Sequence, residues 1–101
     1  MKSISCFELY NLIGTQDNFI ILDIRNKNTY LNGHIINAIN YPSSSLLSKR
    51  KLTLKSNYTY YVICDLGLTS PKVVRHLLSL GYNAINVSGG MKSWIYPIII
   101  D

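Results

Sequence analysis

The apolar residues of this chain fall into short runs separated by polar segments, and those runs predict alternating strands and helices. Phe19 to Leu22, closed by Asp23, and Tyr60 to Ile63 are continuous apolar stretches of strand length. Such runs fit strands covered on both faces, as in parallel sheets. Asn83 to Val87 reads as a further strand, Ile35 to Asn40 as a shorter one stopped by Pro42, and Ile4 as part of a short edge strand. Helical signals lie between them. Ser5 and Glu8 have capping-box spacing and predict a helix to about Ile13, ended by Gly14. Val73, Val74, Leu77 and Leu78 recur at helical spacing and predict a helix to about Leu80, closed by Gly81. Shorter helices are expected through Leu31, capped by Asn28 and ended by Asn32-Gly33, and over Leu46 and Leu47, capped by Ser43 to Ser45. Ser88-Gly89-Gly90 predicts a turn into a last short helix ending near Trp94. Lys49 to Tyr58 reads as a loop, and the apolar tail from Tyr96 to Asp101 is expected to pack back on the body. The alternation predicts an α/β fold, a mostly parallel sheet with helices on both faces.

Composition narrows the picture. One domain over residues 1–101 is expected from the length. With 48% apolar and 15% charged residues, the chain has the makings of a packed core rather than a disordered segment. No window holds the roughly 18 apolar residues of a membrane span. A basic segment followed by an apolar stretch is missing at the N-terminus, so no signal peptide is expected. The expected location is cytoplasmic, with Cys6 and Cys64 reduced. Neither cysteine has the His or Cys spacing of a metal site, and no metal or cofactor is expected. The net charge is +5, and Lys49-Arg50-Lys51 with Lys55 is the basic cluster. Its functional reading is a patch for a nucleic acid or an acidic partner. No nucleic-acid fold signature accompanies it, so it is read as a solvated loop and no nucleic-acid partner is expected.

The candidate chemistry lies at Cys64-Asp65-Leu66-Gly67-Leu68-Thr69-Ser70-Pro71. The strand over Tyr60 to Ile63 runs straight into Cys64. Thr69 or Ser70 suits a helix N-cap, and Pro71 suits the first helical position. Cys64 thus falls where a strand ends and a helix begins, the usual ligand site of open α/β sheets. Unpaired N–H groups and the positive helix end there favour a thiolate and form an anion cradle. Gly67 supplies the backbone freedom of a tight turn.

Three ordered blocks resemble the rhodanese-like domain over nearly the whole chain. The first comprises Leu22-Asp23-Ile24-Arg25, then Tyr30 to Ile35 with Gly33-His34-Ile35, then Ala38-Ile39-Asn40-Tyr41-Pro42. The second, Cys64-x-x-Gly67-x-Thr69-Ser70, is similar to the family's Cys-x-x-Gly-x-Arg-Ser loop. The third is Gly81-Tyr82, Val87-Ser88-Gly89-Gly90 and Trp94. The resemblance implies about five mainly parallel strands and sulfur transfer through a cysteine persulfide. Cys64 is then the nucleophile that takes the outer sulfur of thiosulfate or a thiol persulfide. The backbone N–H groups of Asp65, Leu66, Gly67, Leu68, Thr69 and Ser70 hold the persulfide, and a thiol, cyanide or a protein acceptor receives the sulfur. The chain departs from the pattern at Thr69, which stands for Arg, at Thr29 for an acidic residue, and at Asn37 for Gly. Asp65 adds a negative charge beside the nucleophile. Weak activity toward thiosulfate is the resulting expectation.

Asp23 and Arg25 have two readings, residues facing substrate and a structural pair tying loops together near the site, and the pair is preferred. His34 has the readings of a general base and of a satisfied loop histidine, and the latter is preferred because the helix N-terminus already activates Cys64. His76 is expected on the surface, Cys6 as a partly buried bystander, and Trp94 as a closure of the core. Lys72 and Arg75 read as a solvated helix face within reach of the loop. Two alternatives stand beside sulfur transfer. One is a catalytically weak or silent binding or regulatory module. The other is a cysteine phosphatase or arsenate reductase, which needs Arg six positions after the cysteine, where this chain has Ser70.

Overall fold

The computed structural model describes residues 1–15 and 18–101. Its elements are β1 (Ser3–Ile4), α1 (Cys6–Leu12), β2 (Phe19–Asp23), α2 (Lys27–Leu31), β3 (Ile39–Asn40), α3 (Ser43–Leu47), β4 (Thr59–Ile63), α4 (Ser70–Ser79) and β5 (Asn83–Val87), followed by a 3-10 turn at Met91–Ser93. The five strands form one sheet in the order β1-β5-β4-β2-β3, and all its pairings are parallel. The apolar runs of β2 and β4 make its centre, where a strand needs apolar residues on both sides.

Alternation along the strands divides the core. Leu22, Ile24, Tyr60, Val62, Cys64 and Ala84 join Leu46 of α3 and Val73, Val74 and Leu77 of α4 on one side. Ile21, Tyr61, Ile63 and Val87 join Leu9 of α1, Ile35 and Trp94 on the other. Helices therefore cover both faces, and Cys64 continues the face that looks toward α4. Among the described residues, no helix is long and apolar enough to cross a membrane.

The predicted capping box is formed: Glu8 N–H donates to Ser5 Oγ at 3.0 Å and Ser5 N–H to Glu8 Oε1 at 2.9 Å. The tail packs back as expected, with His34 and Ile99 exchanging backbone hydrogen bonds of 2.9 and 2.8 Å. Several local expectations are corrected. Asn26, rather than Asn28, caps α2 by accepting from Thr29 N–H at 2.9 Å. The strand expected from Ile35 is confined to Ile39–Asn40, because residues 35–38 close a turn, Ala38 N–H to Ile35 O. Asn37 sits in that turn at φ 64°, a left-handed position that suits Gly and that Asn tolerates. Ser43 to Ser45 lie inside α3 and do not cap it. Pro71 occupies the second residue of α4, and Thr69 stands at its N-cap without a side-chain bond. His76 lies at the surface as expected but is half-buried there, with Nε2 2.9 Å from Lys49 O.

Candidate active site

β4 carries Cys64 to the carboxyl end of the sheet, beneath the first residues of α4. The thiol is nearly closed to solvent, at 5% exposure. Two backbone N–H groups converge on its sulfur, Gly67 at 3.1 Å and Ser70 at 3.4 Å. Gly67 reaches this position at φ 83°, and a Cβ there would come 3.0 Å from Gly89 N. The turn is therefore tight in both conformation and space. The side chains of Leu66 and Leu68 point outward, Leu68 being 80% exposed.

The charge state of Cys64 follows from competing effects. Burial pushes the thiol up. The Ser70 hydroxyl and the N–H groups of Ser70, Thr69 and Gly67 pull it down, and together they win, leaving the thiol below its ordinary value. The Ser70 hydroxyl has one proton, and Asn86 Oδ1 accepts it at 2.6 Å. A shared proton cannot serve both acceptors fully, so the backbone donors are the lasting support of the thiolate. For Cys6, burial alone acts, and its thiol is raised.

A second turn holds the loop from below. Met91 N–H donates to Cys64 O at 2.7 Å and Lys92 N–H to Asp65 O at 3.0 Å. Gly90, at φ 64°, lies so close that a Cβ would meet Asp65 O at 2.6 Å and Cys64 O at 2.7 Å. Cys6 Sγ packs behind the same turn, 3.5 Å from Gly90 O. It is more buried than the sequence suggested, at 6% exposure.

Cys64 opens onto a cavity of about 300 Å³ lined also by Arg25, Thr29, Ser43, Ser44, Asp65 and Thr69. Among the described residues Arg25 is the single cation on that wall, and its fork is already engaged. Its Nε and Nη2 hold the buried Asp23 carboxylate, Nη2 at 2.7 Å, and Nη2 also donates to Gly33 O at 2.7 Å. Asp23 and Arg25 are thus a loop-tying pair, as read from the sequence, with one member also facing the cavity. His34 is absent from the residues lining the Cys64 cavity. It stacks on Tyr30, its Nδ1 lies 2.8 Å from Tyr30 O, and its Nε2 lies 3.4 Å from Asp101 Oδ2. A broader groove of about 610 Å³ adjoins the cavity, sharing Arg25, Thr29 and Asp65 and continuing along Leu66 and Lys92.

Sequence reasoning missed Asn86, which anchors Ser70 from β5, and the close approach at Gly90. The polar residue within an otherwise apolar strand end and the doubled glycine are the signals that point to them.

Comparison with known proteins follows the same line. A family model, the rhodanese-like domain, matches residues 6–96. The chain is similar to an adenylyltransferase and sulfurtransferase of Ogataea parapolymorpha, 37% identical over 75 residues, which is 73% of this chain and 19% of that protein. The chain therefore spans about a fifth of that relative's length. It is also similar to the thiosulfate sulfurtransferase GlpE of Coxiella burnetii, 29% identical over 94 residues, covering 92% of this chain and 86% of that one. Among solved structures, a rhodanese-like domain protein from Staphylococcus aureus superposes with a TM-score of 0.90 at 33% identity, covering 100% of this chain and 99% of the other.

Proposed function

This chain belongs to the rhodanese-like domain family, and from that premise we propose that it carries sulfane sulfur on Cys64 as a sulfurtransferase. The observation that supports the reading best is the pair of backbone N–H groups, from Gly67 and Ser70, aimed at a buried thiol on a cavity wall. Such donors cost no reorganisation when negative charge gathers at the sulfur.

The reaction has two halves. The Cys64 thiolate attacks the outer sulfur of thiosulfate or of a thiol persulfide. The donor's sulfur–sulfur bond breaks, sulfite or a thiolate leaves, and Cys64 becomes a persulfide anion. An acceptor thiolate or cyanide then attacks that outer sulfur, and Cys64 leaves as thiolate. Sulfur moves without net oxidation. The N–H groups of the 65–70 loop stabilise the anion in both steps, and Thr69 offers one hydroxyl at the rim. The unit at work is one domain of residues 1–101, and the reduced thiol it needs fits the cytoplasm.

A second reading, a catalytically weak or silent binding module, draws on the engaged Arg25 fork and on Asp65 at the cavity rim. Intact-mass measurement after incubation with thiosulfate or a thiol persulfide separates the two. Sulfurtransferase function predicts a gain of about 32 Da, one sulfur atom, on the protein and none on Cys64→Ser. No gain with either donor would leave the binding module. A phosphatase reading is disfavoured because Ser70 stands where the loop would need Arg; release of phosphate from an aryl phosphate would revive it.

A further inference from the structure

The basic loop at Lys49-Arg50-Lys51 is clamped against α4. His76, one helical turn after Lys72, has Nε2 2.9 Å from Lys49 O. The Tyr82 hydroxyl donates to Leu52 O and Leu54 O at 3.3 and 3.1 Å, and the Lys49 ammonium lies 5.6 Å from the centre of the Tyr41 ring. Residues three and four apart on a helix share a face. The His76 contact therefore brings the Lys49 backbone against the face of α4 that also carries Lys72, with Arg75 three residues on from Lys72, and Lys49, Arg50, Lys51, Lys72 and Arg75 are all exposed. None of these cations joins an ion pair among the described residues. Between residues 24 and 100 the only acidic side chain is Asp65.

This face adjoins the active cavity. Ser43 and Ser44, in the first turn of α3, and Thr69, just before α4, line the cavity. From there α3 leads to Lys49 and α4 to Lys72, Arg75 and His76. A partner resting on the two helices reaches the mouth over Cys64 at one end.

We infer that this face docks an acidic protein, the macromolecular partner in sulfur transfer. The inference rests on the persulfide reading for what the partner receives, but not for the docking itself. A cysteine thiolate of the partner attacks the outer sulfur of the Cys64 persulfide, the sulfur–sulfur bond breaks, Cys64 leaves as thiolate and the partner departs as a persulfide. No oxidant or reductant is consumed. Clustered charge of one sign at a cleft raises encounter rates with an oppositely charged partner. A single-stranded nucleic acid is less suited, because it needs exposed aromatic platforms for its bases. On this side Tyr41, Tyr58 and Tyr82 pack against the core instead.

Two measurements test this. In the first, a fluorescent oligo-glutamate peptide without cysteine is titrated with the protein and followed by anisotropy. The wild type is expected to bind at low ionic strength and to release the peptide at about 0.5 M salt. The variant Lys49→Gln/Arg50→Gln/Lys51→Gln/Arg75→Gln is expected to bind about tenfold or more weakly, and oligo-glutamine not at all. In the second, persulfide-loaded protein is offered Cys-terminated forms of both peptides. Transfer to the acidic one is expected to be about tenfold or more faster in the wild type, with cyanide as acceptor unchanged in the variant. Equal binding by wild type and variant, or tighter binding of an oligo-uridylate than of oligo-glutamate, would overturn the proposal. If no persulfide forms, the sulfur reading fails and the anisotropy result alone decides the docking surface.

Discussion

Ser70 and Asn86 are joined by a hydrogen bond of 2.6 Å, hydroxyl to amide oxygen, in a place closed to water. The bond ties the first residue of α4 to β5, two elements that also pack on each other. The same Ser70 gives its backbone N–H to Cys64 Sγ. Asn86 therefore supports, at one remove, the geometry of the sulfur cradle.

Ser70→Ala tests that support. It leaves the backbone donor in place but strips Asn86 Oδ1 of its partner inside the protein. An unpaired buried acceptor costs about 1–3 kcal/mol, so a lower melting temperature is expected. The hydroxyl also helps hold the Cys64 thiol down, so the pH midpoint for its alkylation is expected to rise. A fall in stability with an unmoved midpoint would assign Ser70 a structural role only.

The two thiols should differ in pH dependence. Cys64 is held below the ordinary value by its donors, after burial has pushed the other way, and Cys6 is raised by burial. Iodoacetamide is therefore expected to modify Cys64 first, with a midpoint below 9.0. The linked stability has a definite sign. A depressed acid pKa favours the native state fully above the unfolded value, and that contribution is lost as pH falls through the folded value. The wild type should thus gain stability over Cys64→Ser as pH rises toward 9.0. A stability difference that is flat with pH would mean the thiol is not perturbed.

Much of this was legible in the chain. The apolar runs of β2 and β4, the Ser5–Glu8 box and the cysteine at a strand end are local patterns, and local patterns survive folding when tertiary contacts agree with them. Asn86 was not legible as a partner of Ser70, because a hydrogen bond across sixteen residues leaves no periodic trace. Ile35 to Ala38 has the composition of a strand, yet the turn at Asn37 takes it out of the sheet. For Arg25 the sequence offers two readings, a residue facing the site and half of a structural pair, and pattern alone does not choose. The fold gives both, the pair with Asp23 and a place on the cavity wall it shares with Cys64.

Gly90 is the sharpest steric test. Gly90→Ala would place a methyl carbon 2.6 to 2.7 Å from the carbonyls of Cys64 and Asp65, at a left-handed φ. Backbone strain of this kind costs about 1–3 kcal/mol before the clash is counted. Loss of both sulfur transfer and several degrees of melting temperature is expected. Gly67→Val should act similarly through φ 83° and the contact with Gly89. Wild-type behaviour in both variants would show that the loop relaxes freely and that its tightness does not matter to the site.

Local charge sets the last expectation, which concerns the donor. Thiosulfate is a dianion whose outer sulfur must approach a thiolate. The N–H groups of the loop offset part of the repulsion, and the end of α4 adds only ~0.3–1 kcal/mol. Arg25 cannot give its full fork, since Asp23 and Gly33 already hold it. Thr69 contributes a hydroxyl and no charge, and the exposed Asp65 carboxylate lies on the same cavity wall. The expected result is a high KM for thiosulfate and better turnover of less charged donors such as thiol persulfides. Thr69→Arg should raise kcat/KM for thiosulfate about tenfold if the new charge contributes on the order of 1.4 kcal/mol in the transition state. Asp65→Asn should act in the same direction but by less, because water screens an exposed carboxylate. Both gains should shrink at high ionic strength. Steady-state kinetics at two salt concentrations provide the measurement, and unchanged or lower thiosulfate efficiency in both variants would mean that local charge does not limit the approach of the donor to Cys64.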